Sequence, residues 1–272
     1  MCLIALHHAP ADSVPDSRHA VVLIANRDEL HARPTAPLAA WDDAPGLVAG
    51  RDLEAGGTWL GVHRRGRFAA ITNVRDPDFV PEPPVASRGL LVRQALETDD
   101  LEHWLHRQQC DHALAYAGFN LLVGDGEHLW HLRRDRHGAT LDRVTPGTHG
   151  LSNASLDTPW PKLEKVTQAL TDDVIHQRVE TLPQARRGFS DQRRPEDERL
   201  PDTGVGLDLE RFLSPAFIVG DDYGTRATTS VVLVRGDVNN GVDEHFVIHE
   251  QRFGPGGSFL GETRLTLPIS RR

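Results

Sequence analysis

Met1-Cys2-Leu3-Ile4-Ala5-Leu6-His7-His8 opens the chain, and after a polar turn comes His19-Ala20-Val21-Val22-Leu23-Ile24-Ala25-Asn26-Arg27-Asp28-Glu29. Residues 2–8 read as a strand, 9–18 as a turn rich in Pro, Asp and Ser, and 19–25 as a second strand of Val, Ile and Leu. Four polar residues, Asn26 to Glu29, follow the apolar run, so the second strand is predicted to end on them. Position 2 carries chemistry that no other cysteine position has. Once Met1 is removed, Cys2 holds a thiol and a free α-amine on one residue, and that amine, with a reference pKa of about 7.7–8, can act as a built-in general base. A hairpin of these two strands would return Asp28 to the side of the chain start and present Cys2 in a pocket.

Composition narrows the field. The chain has 272 residues, 39% of them hydrophobic, and a net charge of -9. That length fits one large domain or two small ones, and neither an internal repeat nor a linker divides it. A chain this acidic is not suited to a nucleic-acid backbone. Two cysteines, Cys2 and Cys110, make no disulfide framework, and their spacing fits no zinc motif. The start lacks a basic segment, and residues 3–6 are far too short for a signal sequence. No stretch approaches the ~18 apolar residues of a membrane span. A reducing, cytoplasmic setting is expected. The chain has only two lysines, Lys162 and Lys165, and these read as a matter of composition.

Further along, Pro34 and Pro37 predict an irregular segment up to Trp41. Strands are expected over 46–51, 58–63 and 68–74, with Arg64-Arg65-Gly66-Arg67 as a hairpin turn. Helical spacing runs over 87–96 and 101–109, with Asp99 or Asp100 as the cap of the second. Strands return over 119–124, 128–133 and 140–144. Pro161 suits the first turn of a helix reaching toward Val179. Residues 188–206 are charged, broken by Pro and Gly, and read as a mobile surface insertion. The last section is β again, over 217–220, 228–235, 244–251 and 262–267, with a turn at Asn239-Asn240-Gly241. Strands alternating with helices in this order predict a single α+β domain over 1–272, with two antiparallel sheets face to face and helices outside.

Several residues have the right type for chemistry. Asp28 could hold a protonated α-amine, and Arg27 could stabilise a thiolate. Asn73 ends the run Phe68-Ala69-Ala70-Ile71-Thr72, and Asn153 follows Gly150-Leu151-Ser152. From such positions an N–H can donate to an oxyanion, although each Asn alone reads as a turn former. Arg226, in Tyr223-Gly224-Thr225-Arg226, reads either as a strand-end ion pair or as an active-site cation. Cys2 alone reads as a small buried hydrophobe.

Taken together, Met1-Cys2, Asn26-Arg27-Asp28-Glu29, Gly57-Thr58-Trp59-Leu60-Gly61, Thr72-Asn73-Val74-Arg75 and Tyr223-Gly224-Thr225-Arg226 resemble the NRDE family, also called the transport and Golgi organisation family. The likeness covers nearly the whole chain. The fold it implies is the four-layer αββα sandwich of N-terminal nucleophile hydrolases. Penicillin V acylases and bile salt hydrolases are similar at the same places, beginning Met-Cys and carrying an Asn-x-Asp at the end of the second strand. That resemblance implies Cys2 as nucleophile and base, Asp28 orienting the amine, Asn73 and Asn153 as the oxyanion hole, and Arg226 close to the thiol. Asn26 and Arg27 would be binding residues. The acylases carry an arginine immediately before Asn-x-Asp, where this chain has Ala25. Arg27 can substitute if the strand continues that far, since residues two apart share a face.

The expected reaction is hydrolysis of a non-peptide C–N bond in a small or acylated amide, with no cofactor and a small molecule as partner. The alternative implied by the family is a non-catalytic ligand-handling protein using the same pocket, with haem as a cofactor or cargo. Fifteen histidines invite a metal reading. However, His245 and His249 fall on a predicted strand, too far apart to chelate together, and no metal site is expected.

Overall fold

Every residue from Leu3 to Leu6 is buried, on both faces of its strand. This unbroken apolar run is how a strand covered on two sides reads in sequence. The computed structural model describes residues 2–14, 17–81 and 85–270. Its strands are β1 (Cys2–His8), β2 (His19–Leu30), β3 (Thr35–Ala40), β4 (Leu47–Asp52), β5 (Leu60–His63), β6 (Arg67–Asn73), β7 (Phe119–Gly124), β8 (Leu129–Asp135), β9 (Gly138–Arg143), β10 (Gly147–Leu151), β11 (Tyr223–Val234), β12 (His245–Phe253) and β13 (Phe259–Pro268). The α-helices are α1 (Arg88–Glu97), α2 (Leu101–Arg107), α3 (Pro161–Ile175), α4 (Pro183–Phe189) and α5 (Leu207–Leu213).

The strands form two antiparallel sheets. One has six strands in the order β10-β1-β2-β11-β12-β13, and the other has seven, β3 to β9 in chain order. Ile4, Leu6, Leu23, Val231 and Phe246 of the first sheet meet Val48, Val62, Phe68 and Leu122 of the second, forming a core between the sheets. Outside the seven-stranded sheet, Ile71, Leu121 and Val123 pack on Leu91, Leu96 and Leu105 of α1 and α2. Outside the six-stranded sheet, Leu3, Val22 and Ile24 pack on Leu163, Val166 and Phe189 of α3 and α4. The result is four layers, αββα. Truncating Phe68 to Ala at the centre of the inter-sheet core would cost about 3–5 kcal/mol.

The sequence reading needs correcting at four places. β2 does not end at Ala25: it runs to Leu30, because Tyr223, Gly224 and Thr225 of β11 pair with Leu30, Glu29 and Asp28 and supply the ladder that the polar run needs. Residues 35–40 are a strand, not an irregular segment. Pro37 is tolerated because β3 is an edge strand with a register shift between Ala36 and Ala39. Residues 217–220 are not a strand: the Phe217 N–H donates to Asp191 O and the Ile218 N–H to Thr225 Oγ1, which uses the donors a ladder would take. β10, α4 and α5 are elements the spacing does not predict. β10 carries Gly150, where a Cβ would lie 2.6 Å from Thr167 Cγ2 and 2.7 Å from Leu163 Cγ of α3, so only glycine lets that helix rest on the strand.

Other expectations match. α1 and α2 fall where the helical spacing put them, and Asp100 caps α2 by accepting from the His103 N–H. Pro161 is the first residue of α3. Residues 188–206, expected as a mobile insertion, hold the end of α4 and a 3-10 turn at Asp197–Arg199, and ion pairs Lys165–Asp191 and, at 2.5 Å, Arg211–Asp197 tie them to α3 and α5; their mobility is a separate matter from this match. No helix among the described residues is long and apolar enough to cross a membrane.

Candidate active site

Cys2 is the first residue of β1 and lies opposite Arg27 of β2 in the ladder. Opposed residues of an antiparallel pair project on the same face, and here that face, shared with Ile4 and Leu6, looks between the sheets. At its open end the inter-sheet layer widens into a cleft of about 310 Å³. Arg27, Asp28 and Glu29 of β2, Trp59, Ile71 and Asn73, and Ser87 to Gly89 at the start of α1 line it together with Cys2. Burial pushes the Cys2 thiol up, the Asp28 charge adds to that, and Arg27 opposes it.

Asp28, one residue beyond Arg27, leaves the opposite face of the strand toward the helix layer. Its Oδ1 accepts from Thr225 Oγ1 at 2.6 Å. Burial raises its carboxyl, while Lys162 and the Thr225 hydrogen bond act against that. Lys162, from the first turn of α3, is itself buried and donates to Leu213 O at 2.8 Å. Burial pulls its ammonium down to about 8, with Asp28 resisting. Next to it, Arg75 and Glu210 form an ion pair of 2.7 Å with both side chains nearly sealed from solvent. Thr203 donates its N–H and its hydroxyl to the other Glu210 oxygen, at 2.8 and 2.5 Å. Burial and the nearby Asp28 raise the Tyr223 phenol. Single charges are too costly to bury unpaired, so Asp28, Lys162, Arg75 and Glu210 are sustained as a group beneath the chain start.

Hydrogen bonds from the β10 end tie this site together. Asn153 Nδ2 donates to Asn73 O at 2.9 Å, the Arg75 N–H donates to Asn153 O, and Ser152 Oγ donates to Cys2 O at 3.3 Å. Cys2, Arg27 and Asn73 therefore share one cleft, Asp28 reaches its wall from the other face of β2, and Asn153 stands one hydrogen bond behind Asn73. Asn26 is placed elsewhere. Fully buried on the helix side, it donates to Phe189 O and Ala216 O, both at 2.8 Å, and accepts from Thr228 Oγ1 at 2.6 Å. Arg226 is not among the residues lining the cleft. Its Nη1 donates to Leu30 O, Arg33 O and Thr35 Oγ1, holding the turn between β2 and β3. Because β2 continues past Ala25, Arg27 does share the face on which the acylase arginine would lie.

Sequence reasoning missed Arg88, Lys162 and Glu210. Lys162 did leave a signal, as one of two lysines among 30 basic residues. Arg75 and Tyr223 fall inside the Thr72–Arg75 and Tyr223–Arg226 motifs, where residue type alone assigns them no role.

The family model described as Transport and Golgi organisation 2 matches residues 1–252. The chain belongs to the Transport and Golgi organisation 2 family. The human Transport and Golgi organization protein 2 homolog is 32% identical over 255 residues, spanning 87% of this chain and 90% of the human one. The Drosophila melanogaster Transport and Golgi organization protein 2 is 28% identical over 246 residues, 82% of this chain and 85% of its own. Among solved structures, a mutant of the conjugated bile acid hydrolase from Clostridium perfringens superposes with a TM-score of 0.51 at 6% identity, covering 100% of this chain and 98% of that one. A second variant of the same hydrolase gives 0.50 at 7% identity, with 98% of each chain covered. This family member therefore has the four-layer αββα sandwich of the N-terminal nucleophile hydrolase type.

Proposed function

We propose that the chain is an N-terminal cysteine amidohydrolase acting on a non-peptide C–N bond of a small or acylated amide. One observation carries the reading. The thiol-bearing first residue of β1 faces a cleft of about 310 Å³ that Arg27 and Asn73 also line, with the Asp28 carboxylate buried beneath it on the other face of β2. After removal of Met1, the Cys2 sulfur attacks the amide carbonyl carbon while its proton passes to the freed α-amine. The C–N bond then breaks, the departing amine takes that proton, and a thioester remains on Cys2. Water adds to the thioester, giving its proton to the α-amine, and the C–S bond breaks to return the thiol and release the acid. Asn73 supplies the donor for the tetrahedral oxyanion, Asn153 fixes it through the bond to its carbonyl, and Asp28 orients the amine.

Intact mass of the purified protein, before and after an electrophilic acyl probe, tests this against Cys2→Ala. The expected result is loss of Met1 and one acyl adduct that Cys2→Ala abolishes. A retained Met1 with no adduct at Cys2 overturns it.

The second reading keeps the cleft as a binding site without turnover. The observation favouring it is that Cys2 is buried, and burial pushes its thiol up, which works against forming the attacking thiolate. Haem is a poor fit to such a site on its donor set. No described residue lining the cleft supplies an imidazole, thioether or phenol, which would leave iron to Cys2 alone.

A further inference from the structure

We infer that the cleft is built for an amide carrying a single negative charge, a carboxylate, and that Arg27 and Arg88 are the residues that bind it. The word amide rests on the hydrolase reading above, but the charge preference stands on its own geometry. Four arginines and three carboxylates line the cleft. Two of the arginines are already committed. Arg33 gives its Nε and Nη2 to Asp52 Oδ2 at 3.0 and 2.8 Å, and Arg51 forks onto Asp43 at 2.7 and 2.8 Å.

Arg27 and Arg88 are not. Arg27 is 7% exposed, and its Nη1 is buried without a hydrogen-bond partner among the described residues. Its nearest carboxylate, Glu29, stands 3.7 Å from Nη2, beyond hydrogen-bond length. Buried donors are nearly always satisfied, so an unmet guanidinium N–H at a cleft wall marks a place where a ligand acceptor belongs. Arg88 donates Nη1 to Gly118 O at 3.0 Å and makes no ion pair with any described carboxylate.

The backbone adds to the same potential. Ser87, Arg88 and Gly89 border the cleft at the start of the ten-residue helix α1, which has no side-chain cap and no acid in its first turn. The positive end of the helix therefore points at the space beside the two guanidiniums. Glu29 and Asp52 on the remaining wall disfavour a second negative charge, which argues against a polyphosphate. The volume is at the small end for a ligand site, and Trp59 and Ile71 offer apolar contact to a short acyl group. Had these arginines served only to stabilise a thiolate, the charge of the ligand would make no difference.

Calorimetric titration of the Cys2→Ala protein with N-butanoylglycine and with N-butanoylglycinamide separates the two, because the ligands differ only in carboxylate against carboxamide and no turnover intervenes. The carboxylate is expected to bind about tenfold tighter. Adding Arg88→Gln or Arg27→Gln should lower that preference below about threefold and leave N-butanoylglycinamide affinity within about twofold, while Arg88→Lys keeps most of the preference. Equal affinities, no binding of either ligand, or arginine variants that weaken both ligands alike would overturn the inference. A carboxylate preference in a chain whose wild type forms no acyl adduct would sink the hydrolase reading and leave this one standing.

Discussion

Cys2 stands directly opposite Arg27 in the β1–β2 ladder, and Asp28 leaves the other face of the same strand. Thiol and guanidinium thus share the cleft side, while the carboxylate lies beneath the chain start, in the buried group with Lys162. Thiol and carboxylate approach from two sides of one sheet. The consequences can be measured.

The first concerns the thiol. Arg27 opposes the burial that pushes Cys2 up. In Arg27→Gln the pH midpoint for iodoacetamide labelling at Cys2 is expected to rise, and labelling at neutral pH to slow, read by mass spectrometry with Cys110 as the internal reference. An unmoved midpoint would mean that the guanidinium does not act on the sulfur.

A second prediction follows from the rarity of lysine. With two lysines in the chain, the Nζ resonances can be followed individually by NMR, and Lys162 is expected to titrate near 8. The unfolded chain holds that proton up to about 10.4 and the folded chain only to about 8, so between these values the unfolded state binds more protons and stability rises with pH from this group. Lys162→Met should remove that rise from urea unfolding measured between pH 8 and 10. A Lys162 titration in the ordinary lysine range would contradict the burial argument.

Gly57 sets the seat of α1. A Cβ there would lie 2.4 Å from the carbonyl carbon of Gly89, and the Thr58 N–H already bonds Gly89 O at 3.1 Å. Gly57→Ala is expected to destabilise by about 1–3 kcal/mol and to shift Arg88, lowering the preference for N-butanoylglycine. Unchanged thermal unfolding together with unchanged preference would rule out this role.

Asn26 reads as a binding residue by resemblance, yet its side chain joins β2 to α4, to the 214–217 turn and to β11. Asn26→Leu strands two carbonyls and a hydroxyl, and about 2–4 kcal/mol of stability should be lost in urea unfolding. A loss of ligand affinity with stability intact would place Asn26 in the site instead.

Much of this was legible beforehand because the apolar periodicity is strong. β1, β6, β7, α1 and α3 fall close to where the spacing of Leu, Val and Ile put them, and the cap at Asp100 followed from residue type. What failed was local reading of elements whose reason lies far away. β10 carries two glycines in five residues and gives no strand pattern of its own, yet it is a strand because β1 offers it an edge. Arg226 looked like a site cation because of its motif. Its guanidinium is spent on three oxygens of the 30–35 turn, which no spacing rule could disclose.

The sequence by itself determined that a cysteine at position 2 begins a buried strand, that Asn26 to Glu29 follow on the next, and that the motifs in this order belong to one family. Tertiary structure alone decided which of those polar residues share a cavity. A polar run remains a strand only if neighbouring strands accept its hydrogen bonds, and for β2 the deciding neighbour lies about 200 residues downstream, at Tyr223 to Thr225. Likewise, Lys162 and Arg88 acquire meaning only through burial and closeness. A charge is unremarkable in water, but inside a packed sandwich it must find either a partner or a ligand.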